Sequence, residues 1–318
     1  MEQMLKDFLE LTAIPVQSRQ ERQIADCLKK KLRDLGLTVV EEPIAVADGT
    51  TGNIRAVLEG TCDAEPILFS AHMDRVKNNE AISPYLEEES QILRADGKTI
   101  LAADDVSGIC VILEALRRLK ASQKPYGTVE VAFSVCEEVG VLGSKHFDFD
   151  AFSAKKAYVF DAPGHIGKMV LQAPAKAKFA YRIYGKSAHA GNEPEKGINA
   201  IRAAADLVLQ LPDSRLTPFS TANIANFHGG TGATNVVCDF AEVVAEARST
   251  DSDEFARILE AFSAPVEKIE KKYGVRIEYV PAVLYPTFKR EKEEPMVQLA
   301  ARAMENLGIS PVYARGGG

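Results

Sequence analysis

Four short apolar runs in the first half of the chain each stop on a histidine or an acid, and that recurrence restricts the fold more than any other feature. Pro66 to Ala71 stops at His72, with Asp74 two residues on; Lys98 to Ala103 stops at Asp104-Asp105; Thr128 to Val135 stops at Cys136-Glu137-Glu138; Ala157 to Phe160 stops at Asp161. Apolar runs of this length, bounded by glycine, proline or polar clusters, read as buried strands. An open α/β sheet collects its ligands at the carboxyl ends of its strands, so a single sheet would carry these groups to one site. His72 and Asp74 share a face of the strand if the extended conformation persists through Met73.

Each piece alone has a plainer reading. His72-x-Asp74 is then a hydrogen-bonded pair at a strand end, Asp104 or Asp105 a helix N-cap, and Glu137-Glu138 a solvated pair. Adjacent acids at 104 and 105 leave room for one to cap and the other to face the site. Two adjacent glutamates share one site only where the strand ends and the backbone turns, and Gly140 and Gly143 supply that freedom. Cys136 as a nucleophile is disfavoured, because nothing nearby reads as its histidine base.

The rest of the chain supplies the frame. Arg19 to Leu35 reads as a helix closed by Gly36, followed by strands at Thr38 to Val40 and Asn53 to Leu58. Val106 to Leu119 reads as an amphipathic helix. After about residue 172 the texture changes: Lys176 to Tyr184 alternates, with Ala177, Phe179, Tyr181 and Ile183 on one face. Then come a helix (Gly197 to Leu211), strands at Thr221 to Phe227 and Asn235 to Arg248, a helix (Asp253 to Tyr273) and a strand (Val275 to Val283). That βαββαβ order predicts a ferredoxin-like α+β domain, with Ala241, Val243, Ala245 and Ala247 packed on the helices and Glu242, Val244, Glu246 and Arg248 on a free face open to a dimer contact. Glu293 to Leu307 reads as a last helix, and a strand begins near Val312.

Composition narrows the function. The chain has 318 residues, 46% of them hydrophobic, which is enough for two cores. A net charge of -7 argues against a nucleic-acid or anionic-membrane partner. No apolar run approaches a membrane span, no secretory pattern opens the chain, and the five scattered cysteines fit a reducing compartment, so the expected location is cytoplasmic.

One histidine with several carboxylates and no thiolate pair suits zinc, with manganese or cobalt as alternatives. A site this acidic suggests two cations sharing a bridging carboxylate, with a free carboxylate as proton shuttle, which is the equipment of hydrolysis. Ser70-Ala71-His72-Met73-Asp74, Ala103-Asp104-Asp105, Cys136-Glu137-Glu138-Val139-Gly140, Asp161 and Gly185-Lys186-Ser187-Ala188-His189-Ala190-Gly191 together resemble the aminoacylase, carboxypeptidase G and peptidase T family of zinc exopeptidases, peptidase T-like tripeptide aminopeptidases above all. The resemblance runs from about Leu5 to Gly318. It implies an α/β catalytic domain, a mixed sheet flanked by helices, from residues 1–172 and 286–318, with residues 173–285 as an inserted ferredoxin-like lid and dimerisation domain. It implies a short peptide as substrate, two zinc ions per active site and a homodimer through the lid. His72 and Asp161 would hold the first zinc, Asp104 would bridge, Glu138 would hold the second, Asp74 would orient His72 and Glu137 would be the general base. His189, Asn235 and Arg248 would hold the substrate, and His146, His165 and His228 match no ligand position.

A related group of zinc aminopeptidases shares the ligand order but inserts its lid between the first two motifs. Here Asp74 and Asp104 lie 30 positions apart, too few for a lid. Two departures from the family pattern stand out. Val106 occupies a position where many relatives have lysine, and no histidine follows His228 to supply the family's last zinc ligand. The second departure predicts a C-terminally truncated chain with an incomplete second site. It also motivates an alternative, a non-catalytic peptide-binding or assembly protein on the same scaffold.

Overall fold

Acid-tipped strands form the middle of a five-stranded sheet in a computed structural model that describes residues 2–46, 48–76 and 81–317. The chain forms two compact units, Met1–Pro163 and Gly164–Gly318. Elements of the first are α1 (Glu2–Ala13), α2 (Arg22–Asp34), β1 (Thr38–Glu42), β2 (Asn53–Leu58), β3 (Ile67–His72), a hairpin of β4 (Tyr85–Glu87) and β5 (Ile92–Arg94), α3 (Ala103–Ala121), β6 (Val129–Ser134) and β7 (Ala157–Val159). The large sheet runs β1-β2-β6-β3-β7, with β6, β3 and β7 parallel and β1 and β2 antiparallel additions. His72 pairs with Ser134 and Ser70 with Val159, so all three parallel strands end at one edge.

Every residue of β6 is buried, as the near-continuous apolar run requires of a central strand. Ile54, Val131 and Phe133 pack with Leu11, Leu28, Leu32, Ile109 and Leu113 from the three helices. Each such side chain contributes about 1.5–3 kcal/mol by leaving water. The helices are also tied by charge: buried Asp7 of α1 accepts from Lys31 of α2 at 2.9 Å and from Arg117 of α3.

The run Lys98 to Ala103 is not a strand. Ala102 turns left-handed at φ 58° and α3 starts at Ala103, with non-helical angles at Asp104 and Asp105 and a cis peptide between them. Two adjacent acids with no paired neighbour strand leave the chain free to enter the helix directly, so three ligand-bearing strand ends and one helix start replace the four expected strand ends. α3 then runs so close to the end of β7 that a Cβ at Gly108 would sit 2.3 Å from the Phe160 carbonyl oxygen.

In the second unit the elements are β8 (Lys168–Ala173), β9 (Ala175–Tyr184), α4 (Ala200–Gln210), β10 (Ser214–Thr217), β11 (Ser220–Gly229), β12 (Phe240–Ser249), α5 (Ser252–Ser263), α6 (Pro265–Tyr273), β13 (Arg276–Tyr285), β14 (Phe288–Lys289), α7 (Pro295–Glu305) and β15 (Val312–Arg315). Its main sheet runs β10-β11-β12-β9-β13, the ferredoxin-like order with β10 as an extra edge. Ala177, Phe179, Tyr181, Ile183, Ala241, Val243, Ala245 and Ala247 form the core with α4, α5 and α6, as the alternation requires. The helix expected over Asp253 to Tyr273 is two helices, because Pro265 lacks the N–H that would continue the first. Asn235 lies before β12 rather than in it. The other sheet face is laced with charge: Lys176 and Arg248 reach Glu246, and Arg182 reaches Glu242 and Glu278. A separate three-stranded sheet, β14-β8-β15, lies in this unit and takes in residues from 286–318. Among the described residues no helix is long and apolar enough to cross a membrane.

Candidate active site

His72 closes β3 with its ring 3% exposed. Its Nδ1 lies 3.0 Å from the Asp74 carbonyl oxygen and so carries the proton, which leaves Nε2 facing Asp104 Oδ1 at 2.8 Å and Asp161 Oδ1 at 3.8 Å. A nitrogen lone pair among carboxylate oxygens is repulsive unless a proton or a cation lies between them. Burial alone would lower the His72 pKa, but bonds to Asp104 and Asp74 overcome it and raise it to about 11.

Two overlapping groups share the His72 ring, His72 with Asp105 and Asp161, and His72 with Asp104 and Glu138, each with its ligand atoms within 4.8 Å of one another. Burial pushes Asp105 up to about 8. Burial, with repulsion from Asp104 and Glu137, pushes Asp161 up to about 7. Glu137 and Glu138 are raised too, first by burial and then by the neighbouring acids. Excess acid around one imidazole is the donor set of a hard or borderline divalent cation, so the residues fit a metal. Neither group includes His146, His165 or His228.

Asp104 is the exposed member, its side chain 69% accessible, whereas Asp105 is buried and accepts from the peptide N–H groups of His72 and Gly108, both at 3.1 Å. One of the adjacent acids therefore caps the helix start and also lies among the ligand atoms. The Asp74 carboxylate lies 3.5 Å from His72 Nδ1, farther than its own carbonyl. It accepts instead from Ser18 Oγ at 2.6 Å, Glu137 N at 2.8 Å and Glu138 N at 3.2 Å. Burial opposes ionisation of Asp74, yet the nearby His72 ring and the bond from Ser18 hold its carboxyl below the usual range. The Cys136 thiol is buried and pushed up to about 12, first by burial and then by Glu21, which makes it a poor nucleophile.

Ser18 and Glu21 carry weight that the sequence reading missed. Their Ser-x-x-Glu spacing is the signal of a capping box before α2, but Glu21 makes no cap bond to that helix. Both side chains turn inward, Ser18 to Asp74 and Glu21 to Cys136.

In the second unit, His189 and Asn235 come together: His189 bridges Val236, and the Ala190 N–H donates to the Asn235 carbonyl at 2.9 Å. The exposed His189 ring accepts from Gly191 N and Asn192 N through Nδ1. Arg248 is not with them. It lies eight residues beyond Phe240 along β12, roughly 25 Å at ~3.3 Å per residue, and donates to Glu246 and the Gly317 carbonyl.

Comparison with known proteins places the two units in the class of peptidases. The peptidase dimerisation domain of the M20 group matches residues 175–274, and peptidase family M28 matches residues 53–176, which carry the strand ends from His72 to Asp161. Aminopeptidase PepT from Bacillus cereus is 37% identical, covers all of this chain and 85% of its own, and superposes with a TM-score of 0.87. A Staphylococcus aureus tripeptidase is 32% identical with a TM-score of 0.93, covering all of this chain and 84% of its own. Peptidase T of Fusobacterium nucleatum is 30% identical over 93% of this chain and 79% of its own length. The chain belongs to the peptidase T-like members of the M20 peptidase family.

Proposed function

We propose that the chain is a metal-dependent exopeptidase that removes the N-terminal residue of short peptides, tripeptides foremost. The observation that carries this reading is the clustering of Asp104, Asp105, Glu138 and Asp161 around His72, with Glu137 on the same turn as Glu138. His72 and Asp161 would hold one cation, Glu138 a second, and Asp104 would bridge them. Zinc is the proposed metal, with manganese and cobalt as alternatives. Bound there, two such cations supply Lewis-acid polarisation of the scissile carbonyl and lower the pKa of water.

The remaining work belongs to the chain itself. Glu137, held by Asp74 through its peptide N–H, takes a proton from the attacking water and passes it to the departing amine. Burial already lifts its affinity for a proton, which suits a base that must also act as an acid. Asp74 keeps His72 in the Nδ1-protonated form through its carbonyl and aims the glutamate turn through its carboxylate. His189 and Asn235, neighbours on one loop pair, bind the substrate backbone, and Arg248 binds its terminal carboxylate. Because Arg248 lies at the other end of the same sheet, these contacts suit a homodimer in which two lids contribute. We assign residues 1–172 and 286–318 to the catalytic domain and 173–285 to the lid.

Metal content by mass spectrometry, with turnover of a tripeptide panel, tests the proposal. Bound zinc and release of the N-terminal residue support it. Fewer than one zinc per chain and no turnover would favour the second reading, a peptide-binding protein on this scaffold.

A further inference from the structure

Glu21 is a buried acid outside the ligand cluster, 0% exposed. Its Oε1 accepts from the Arg19 N–H at 2.8 Å, the Cys136 N–H at 3.1 Å and the Cys136 thiol at 3.4 Å. Its Oε2, equally buried, has no partner among the described residues. A buried carboxylate kept with one oxygen unpaired needs a reason, since an apolar side chain of similar shape would avoid the desolvation.

That reason lies in the turn it holds. Cys136 adopts φ 54°, a left-handed conformation that a residue with a Cβ rarely takes. The turn closes through bonds from Leu142 N to the Cys136 carbonyl and from Gly143 N to the Val135 carbonyl, both 3.0 Å. Three successive peptide N–H groups, of Cys136, Glu137 and Glu138, thereby point to one side and form a nest for anions. Glu21 takes the first and Asp74 takes the next two. Ser18 ties Asp74 into the same segment as Glu21, so residues 18–21 grip the turn from beneath.

We propose that Glu21 is a positioning residue: by gripping the Cys136 peptide it fixes where Glu137 and Glu138 emerge, and so sets both metal affinity and placement of the base. The inference rests on the function proposed above. Glu21 belongs to neither group of ligand atoms and acts through the backbone of residues 136–138.

Two substitutions of similar reach separate acceptor from shape. Glu21→Met keeps the packing and removes the acceptor; Glu21→Gln keeps an oxygen at Oε1 and places an NH2 where Oε2 has no partner. Each full-length variant is compared with wild type for zinc affinity by chelator competition, tripeptide kcat and KM, circular dichroism and melting temperature. The Met variant should bind zinc roughly 10–100-fold more weakly and lose kcat by a similar factor, with KM within about threefold. The Gln variant should melt lower yet keep zinc affinity and kcat within about threefold of wild type. A folded Met variant with wild-type affinity and kcat overturns the proposal. So does a folded Gln variant that loses as much as Met, and this arm decides alone should Met fail to fold. A wild-type chain that binds zinc but cleaves no tripeptide overturns only the peptidase reading, and the affinities then decide for Glu21. Absence of zinc binding in wild type overturns both.

Discussion

Replacing Asp74 by Asn removes one charge and one acceptor position without changing volume, and the outcome can be worked out bond by bond. The native carboxylate is buried and accepts Glu137 N–H on Oδ1 and both Glu138 N–H and the Ser18 hydroxyl on Oδ2. An asparagine keeps one oxygen. With that oxygen at Oδ1, Glu138 N–H faces an NH2 group, although Ser18 can rotate to accept; with it at Oδ2, Glu137 N–H faces the NH2. Either way one buried peptide N–H loses its acceptor, at about 1–3 kcal/mol, and the surviving bond loses its charge assistance, about 1 kcal/mol more. Asp74→Asn should therefore lose roughly 2–4 kcal/mol in urea unfolding followed by far-UV dichroism. Because the orphaned donor belongs to the turn bearing Glu137 and Glu138, zinc affinity should fall roughly 10–100-fold as well. An Asn variant with wild-type urea midpoint and wild-type zinc affinity would refute the claim that Asp74 anchors this turn.

Other perturbations test separate parts of the account. Asp7→Ala leaves Lys31 and Arg117 with only their more accessible partners Glu10 and Glu114, so it should cost about 3 kcal/mol, the low end for breaking a buried pair, read as a urea midpoint shift. Arg22 first, then Lys29 and Thr51, hold the Glu41 carboxyl well below the usual range despite some burial. Glu41 thus contributes stability above its unfolded value near 4.5 and loses it as pH falls toward its native value, so Glu41→Gln should flatten the acid limb of a stability-pH curve below about pH 4 and leave its neutral limb parallel to wild type. Chelation should lower the melting temperature, and restoring free zinc to about 100 times its dissociation constant should return roughly 2.7 kcal/mol, monitored by calorimetry.

Much of this architecture was legible because burial imposes period and length. The alternation from Lys176 to Tyr184 marked a sheet with one buried face, and the apolar run from Thr128 to Val135 marked a central strand. The grouping of His72, Glu138 and Asp161 was legible because each stands at, or within three residues of, the end of such a run. Asp104 was found for the wrong local reason: Lys98 to Ala103 is apolar enough for a strand but has no partner to pair with, a non-local fact. Pro265 was a readable break in the helix that apolar periodicity overrode. Ser18 and Glu21 were hidden for a deeper reason. Their spacing has an ordinary local meaning, and only the tertiary fold diverts both side chains to residues more than 50 positions away. α1, β8, β10 and β14 were missed because short or weakly patterned segments are set by their neighbours, whereas β15 begins at Val312 as expected.

The central claim is a division of labour between adjacent glutamates, Glu137 for the proton and Glu138 for the metal. Zinc content and tripeptide turnover of Glu137→Ala, measured beside wild type, test it most directly. The account predicts that turnover disappears while zinc per chain stays unchanged, because the base touches water rather than metal. Loss of zinc on that change, or retained turnover with zinc in place, would contradict it.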